Sequence, residues 1–225
     1  MDTLLLWDID GTVLASGGSG MAALRAGLRN AFGIDRPLDD IDFAGRTDRW
    51  IIRQIFARTG HEYNEVNLTR MAEAYFAELP ARLAASSRIL PGVEAALDRA
   101  AAAGYINALL TGNLVAGAKI KLDHHGLWSR FAFGAFANDS ETRDELGPHA
   151  LQRARAHLGR VIPPQRVFVI GDTPHDVACG RVIGARTIAV KTGYSSRESL
   201  VAAAPDLLIE NLASEAEAFF AFIAA

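Results

Sequence analysis

Short, nearly unbroken apolar runs occur at Leu4–Trp7, Ile106–Leu110, Phe131–Phe136, Val167–Ile170, Thr187–Val190 and Leu207–Ile209. Most are separated by stretches whose apolar residues recur at helical spacing. Brief continuous runs suit strands buried on both faces, and their alternation with helices predicts an α/β fold built on a doubly wound parallel sheet.

The stretch between the first two runs breaks this rhythm. Gly20–Phe32, Asp48–Thr59 and Asn64–Ala85 read as helices, with Leu24, Leu28 and Phe32 on one face, and no convincing strand is visible. Pro80 is expected to kink or end the last of them. Pro91-Gly92 then restarts the α/β pattern, followed by a helix over Val93–Ala103 that stops at Gly104. The predicted organisation is an α/β core formed by residues 1–14 and 88–225, interrupted by an α-helical insertion at 15–87.

Composition fits a compact protein: of 225 residues, 50% are apolar and 22% charged. The net charge of −3 and the scattered Lys and Arg residues argue against nucleic acid as a partner. No apolar run approaches the ~20 residues that span a bilayer, and no basic-then-apolar leader opens the sequence. A cytoplasmic protein without a membrane partner is expected, and the oligomeric state is left open. Cys179, the only cysteine, excludes an internal disulfide and a cysteine-rich zinc site, and reads as a small buried residue.

The candidate chemistry lies where the runs end. The first leads into Asp8-Ile9-Asp10-Gly11-Thr12, the second into Thr111-Gly112-Asn113, and the fourth into Gly171-Asp172-Thr173-Pro174-His175-Asp176. In a parallel sheet these carboxyl-end loops converge, as ligand sites of open α/β folds do. Two carboxylates about 4 Å apart repel by roughly 4 kcal/mol at an effective dielectric of about 20, so a cation is required. An all-oxygen donor set favours Mg²⁺ over zinc or copper.

In order and placement, these motifs resemble those of the haloacid dehalogenase (HAD) superfamily hydrolases, particularly the phosphoglycolate-phosphatase and β-phosphoglucomutase branch. The resemblance implies a Rossmann-like core with a helical cap at 15–87, and a Mg²⁺-dependent phosphatase acting on a small phosphorylated metabolite. It implies that Asp8 is the nucleophile and a metal ligand, and that Asp10 is the general acid and base, binding metal through its carbonyl. Asp172 would be the other metal ligand, with Asp176 supporting it. Phosphate would be held by Gly11, Thr12, Thr111, Gly112 and Asn113.

A carboxylate nucleophile fits this chemistry independently, because an acyl phosphate divides one hard displacement into two easier ones. The usual Lys-Pro signature of the third family motif is missing. Arg143 is the first choice for the cation that offsets phosphate charge, and Lys121 is the alternative, although on the helix after Asn113 a solvated surface lysine is the commoner explanation. Gly45-Arg46-Thr47-Asp48 resembles the cap's substrate-contacting loop, so Arg46 and Thr47 are candidate substrate contacts.

Three other readings compete with this one. Gly18-Ser19-Gly20-Met21-Ala22-Ala23 matches G-x-G-x-x-A, but a dinucleotide fingerprint follows its strand directly, and here the Asp-x-Asp loop intervenes. A phosphomutase of the same superfamily would return phosphate to its product. A non-catalytic phosphate-ligand binding protein would keep the fold without turnover. The remaining histidines are expected at the surface, with His175 near the rim of the site.

Overall fold

The computed structural model describes residues 2–225. The first strand, β1 (Leu4–Trp7), is wholly buried. It leads into a second, short strand, β2 (Leu14–Ala15), and then into three helices, α1 (Ser19–Phe32), α2 (Asp48–Thr59) and α3 (Glu65–Ser86). After strand β3 (Arg88–Ile89) the chain continues as α4 (Val93–Ala102), β4 (Ile106–Leu110), α5 (Val115–His124), β5 (Gly134–Ala135), α6 (Leu146–Leu158), β6 (Val167–Gly171) and α7 (Pro174–Val182). It finishes with β7 (Arg186–Val190), α8 (Arg197–Ala202), β8 (Leu207–Ile209) and α9 (Ala216–Ala224).

Six strands form one parallel sheet in the order β5-β4-β1-β6-β7-β8. β1 lies at its centre, with Leu4 paired to both Ile106 and Val167. Because the chain winds outwards from β1 in both directions, the carboxyl ends of β1, β4 and β6 are neighbours. Alternation along β1 explains the two packed layers. Leu5 and Trp7 enter one cluster with Leu97, Leu122 and Phe219, whereas Leu4 and Leu6 enter another with Leu146, Ala150 and Cys179.

The helices of residues 15–87 bury a third cluster, which includes Leu24, Leu28, Ile52, Phe56, Met71, Tyr75 and Leu79. β2 and β3 pair antiparallel where the chain leaves and re-enters the sheet region, with Leu14 opposite Ile89 and Ala15 opposite Arg88. This ribbon lies at the edge of a stretch in which no strand was expected. Two residues per strand are too few to produce a periodic signal.

Two further expectations need correction. α3 does not end at Pro80 but continues to Ser86, because Leu79 and Leu83 are fully buried on either side of an exposed proline and hold the helix together. The strand expected over Phe131–Phe136 is only Gly134–Ala135, preceded by a single 3₁₀ turn at Trp128–Arg130. Gly134 packs so closely on Leu109 and Phe136 that a β-carbon would come within 2.6 Å of the Phe136 ring. Among the described residues, no helix is long and apolar enough to cross a membrane.

Candidate active site

The three strand ends deliver their polar residues into one cavity of about 810 Å³, enclosed between the sheet edge and the helical unit. Asp8, Asp10, Gly11, Gly112, Asn113, Lys121, Arg143, Asp172 and Thr173 form its core side. Met21, Leu24, Phe43, Arg46, Asp48 and Tyr75 contribute from the helical side.

The carboxylates of Asp8, Asp172 and Asp176 form one buried group, with an oxygen of each lying within 4.8 Å of the others. Burial, opposed by Arg143 and reinforced by Asp176, pushes Asp8 up to about 6. Asp172 is raised well above the usual carboxylate range, by burial first and then by the charges of Asp176 and Asp8. Three hard oxygen donors that repel one another in this way make a fitting seat for a metal ion.

The donors are not equivalent. Arg143 Nη2 lies 3.0 Å from Asp8 Oδ1 and also pairs with Asp176 Oδ1. Asp176 Oδ2 accepts from the Thr173 amide at 3.0 Å and from its hydroxyl at 2.8 Å. Both Asp176 oxygens are therefore occupied, whereas Asp8 and Asp172 each keep an oxygen without such a partner. Thr12 donates to Asp172 Oδ1 at 3.4 Å.

Asp10 has different surroundings. Its Oδ2 accepts from Lys121 Nζ at 2.7 Å and from Asn113 Nδ2 at 2.8 Å, and its Oδ1 accepts from the Ser16 hydroxyl. Burial raises its pKa, but the Lys121 charge and these hydrogen bonds outweigh burial and leave it below the ordinary value. Lys121 is itself buried, contrary to the expectation of a solvated surface lysine, and also donates to Asn113 Oδ1 at 2.6 Å. Leu114, Ala118 and Leu122 are buried alongside it, so Lys121 lies on the inward face of α5.

Two of the expected phosphate contacts, Thr12 and Thr111, have their hydroxyls engaged within the protein. The Thr111 side chain is fully buried and accepts from Asn113 Nδ2 at 2.8 Å. The first amides of α5 also have partners, Leu114 N donating to Asp48 Oδ2 at 2.7 Å and Val115 N to Asn138 Oδ1 at 2.7 Å. Gly11, Gly112 and Asn113 remain on the cavity wall. Gly112 is so close to the Arg46 carbonyl that a β-carbon would overlap it, and Arg143 Nη1 would lie 3.0 Å away.

The segment around Arg46 docks onto the core. Asp48 N donates to Gly112 O at 2.7 Å, and the Thr47 hydroxyl donates to Glu141 O at 2.5 Å while capping α2 at Trp50 N. Thr47 is therefore a buried cap lying behind the cavity wall. Arg46 lines the cavity, with its guanidinium 4.6 Å from the Trp50 ring centroid and its buried Nε without a partner. Asp48 was expected to start a helix at the end of the Gly45-Arg46-Thr47-Asp48 loop. Burial pushes its carboxyl up to about 6, and its bond to Leu114 N spans from one helix start to another, a non-local contact with no local sequence signature.

Sequence reasoning also missed the loop after β7. The Thr192 hydroxyl donates to Gly11 O at 2.6 Å, and Gly193 lies so tightly against Asp172 that a β-carbon there would overlap its carboxylate. His175 is half-buried, and burial together with the nearby Arg46 and Arg143 charges lowers its pKa. Cys179 is buried in the second core layer, and burial pushes its thiol up to about 11.

A family model for haloacid dehalogenase-like hydrolases matches residues 5–181. A phosphoglycolate phosphatase of Synechococcus elongatus is 28% identical over 213 residues, covering 92% of each chain. An N-acetylmuramic acid 6-phosphate phosphatase of Pseudomonas aeruginosa is 27% identical over 190 residues, covering 84% of this chain and 82% of that one. Among solved structures, CbbY from Rhodobacter sphaeroides in complex with phosphate superposes with a TM-score of 0.76 at 18% identity, covering 96% of each chain.

Proposed function

The chain belongs to the haloacid dehalogenase-like hydrolases, and on that premise we propose that it is a Mg²⁺-dependent phosphatase of small phosphate monoesters working through a phosphorylated Asp8. The observation that carries this reading is the pair of carboxylates on one loop, Asp8 beside Arg143 and Asp172, and Asp10 beside Lys121 and Asn113.

Asp8 Oδ1 is engaged by Arg143, which leaves the second oxygen to attack phosphorus. Arg143 is then also placed to offset charge on the transferring phosphoryl group. Asp10 gives a proton to the departing oxygen and later takes one from the water that hydrolyses the acyl phosphate, a role worth about 10² to 10⁴ in rate. Asp8 and Asp172, with the Asp10 carbonyl, would hold the ion, and Asp176 would support them. A bound Mg²⁺ would neutralise the carboxylates and the phosphate oxygens.

We further propose that residues 15–87 act as a cap that excludes water and carries specificity, with core segments 1–14 and 88–225 doing the chemistry. Arg46, buried at Nε without a partner and facing the cavity, is the candidate contact for an anionic or polar end of the substrate.

The test is inorganic phosphate release from a panel of small monoesters, with Mg²⁺ and with chelator, for wild type and Asp8→Asn. Metal-dependent release that the substitution lowers by more than about 10⁴-fold is expected. Equal release by the two proteins would remove Asp8 from the mechanism.

A further inference from the structure

Lys121 departs most from the surface role expected of a helical lysine. It lies on α5, yet its ammonium is buried at the junction of three segments: the β1 loop through Asp10 Oδ2 (2.7 Å), the β4 loop through Asn113 Oδ1 (2.6 Å), and the helical unit, where Tyr75 and Asp48 lie within its field. Asn113 closes a triangle by donating to the same Asp10 oxygen at 2.8 Å. Two of the three ammonium donors are therefore directed at Asp10 and at the residue that also holds Asp10. The cation that contacts the nucleophile is a different one, Arg143, at 3.0 Å from Asp8.

We infer that Lys121 is a positioning residue for the general acid and base: with Asn113 it fixes the orientation of the Asp10 carboxyl, and Arg143 alone serves as the phosphate-side cation. This rests on the phosphatase reading above. In the first step, an Asp8 oxygen forms a bond to phosphorus as the bond from phosphorus to the ester oxygen breaks. The form of Asp10 that carries a proton gives it to that oxygen, so an alcohol leaves and Asp10 returns to the carboxylate that Lys121 and Asn113 hold. An acid held by one fewer partner is placed wrongly for this transfer, which costs most where the leaving oxygen is basic.

The inference separates two kinds of ester. An alkyl phosphate needs the proton, whereas p-nitrophenyl phosphate releases a stable phenolate and does not. The measurement is kcat/KM, which reports events up to loss of the leaving group, for both esters with Mg²⁺, in wild type, Lys121→Met and Lys121→Arg. In Lys121→Met we expect kcat/KM to fall by about 100-fold for the alkyl ester and by less than about 5-fold for the aryl ester. Lys121→Arg, which keeps a charged donor, should recover part of the alkyl rate.

Because the readout is a ratio within one preparation, partial unfolding cancels. If Lys121→Met does not fold at all, Lys121→Gln gives the same ratio. Equal losses on the two esters would overturn the inference and place Lys121 on the phosphate, and unchanged rates on both would overturn it as well. Failure of the wild type to hydrolyse either ester would instead count against the phosphatase reading.

Discussion

Asp8 and Asp10 lie two residues apart on the same loop, and their surroundings drive them in opposite directions. Asp8 faces Asp172 and Asp176 across a buried gap, with Arg143 as its one cation, and is pushed up to about 6. Asp10 is only half-buried, meets Lys121, Asn113 and Ser16, and is held below the ordinary value. Deeper burial and nearby carboxylates raise Asp8, whereas the cation and hydrogen-bond donors around Asp10 lower it. One wall gathers three carboxylates around a single Arg143 and suits a further cation, while the other matches its carboxyl with Lys121 and fixes it in place.

The largest test of this contrast replaces each carboxylate by its amide. Asp10→Asn should lower phosphate release by about 10² to 10⁴-fold while still allowing the protein to gain one phosphoryl group on Asp8, detectable by intact mass. Asp8→Asn should show neither. Phosphoryl capture by both variants, or by neither, would break the distinction between the two walls.

A smaller effect concerns Asp48, which adjoins the Asp10 wall and is raised to about 6 by burial. A carboxyl raised in the fold contributes stability that is fully present below its unfolded value and is lost as pH rises through the folded value. Wild type should therefore lose ground to Asp48→Asn between about pH 4 and pH 7, by up to roughly 3 kcal/mol. Denaturant unfolding of both proteins across that range checks this. A constant difference would mean that Asp48 is ionised in the fold.

The smallest effect should come from Thr47→Ala, which removes the α2 cap and the bond to Glu141 O and should cost about 1 kcal/mol in the same unfolding measurement. A loss of activity far beyond that of stability would place Thr47 in contact with substrate after all.

The core sheet was legible because its strands are buried on both faces and leave unbroken apolar runs, and because motif residues at strand ends must converge. Contacts made by loops and by inward-facing polar residues were not. Lys121 read as a surface residue because its type outweighed its position. The signal was present in Leu114, Ala118 and Leu122, which mark the buried face of α5 on which it lies. The bond from Asp48 to Leu114 and the approach of Gly193 to Asp172 join residues far apart in sequence and leave no local pattern.

The glycines lining the core side bear on how such a protein would be redesigned. At Gly11 and Gly193 a β-carbon would collide with the Asp172 side chain, and at Gly112 with the Arg46 backbone, so that wall admits no enlargement. The helical side of the same cavity carries the Met21, Phe43 and Arg46 side chains. A library aimed at new substrates belongs at those three positions, where side chains can change size and charge while the reacting atoms stay in register.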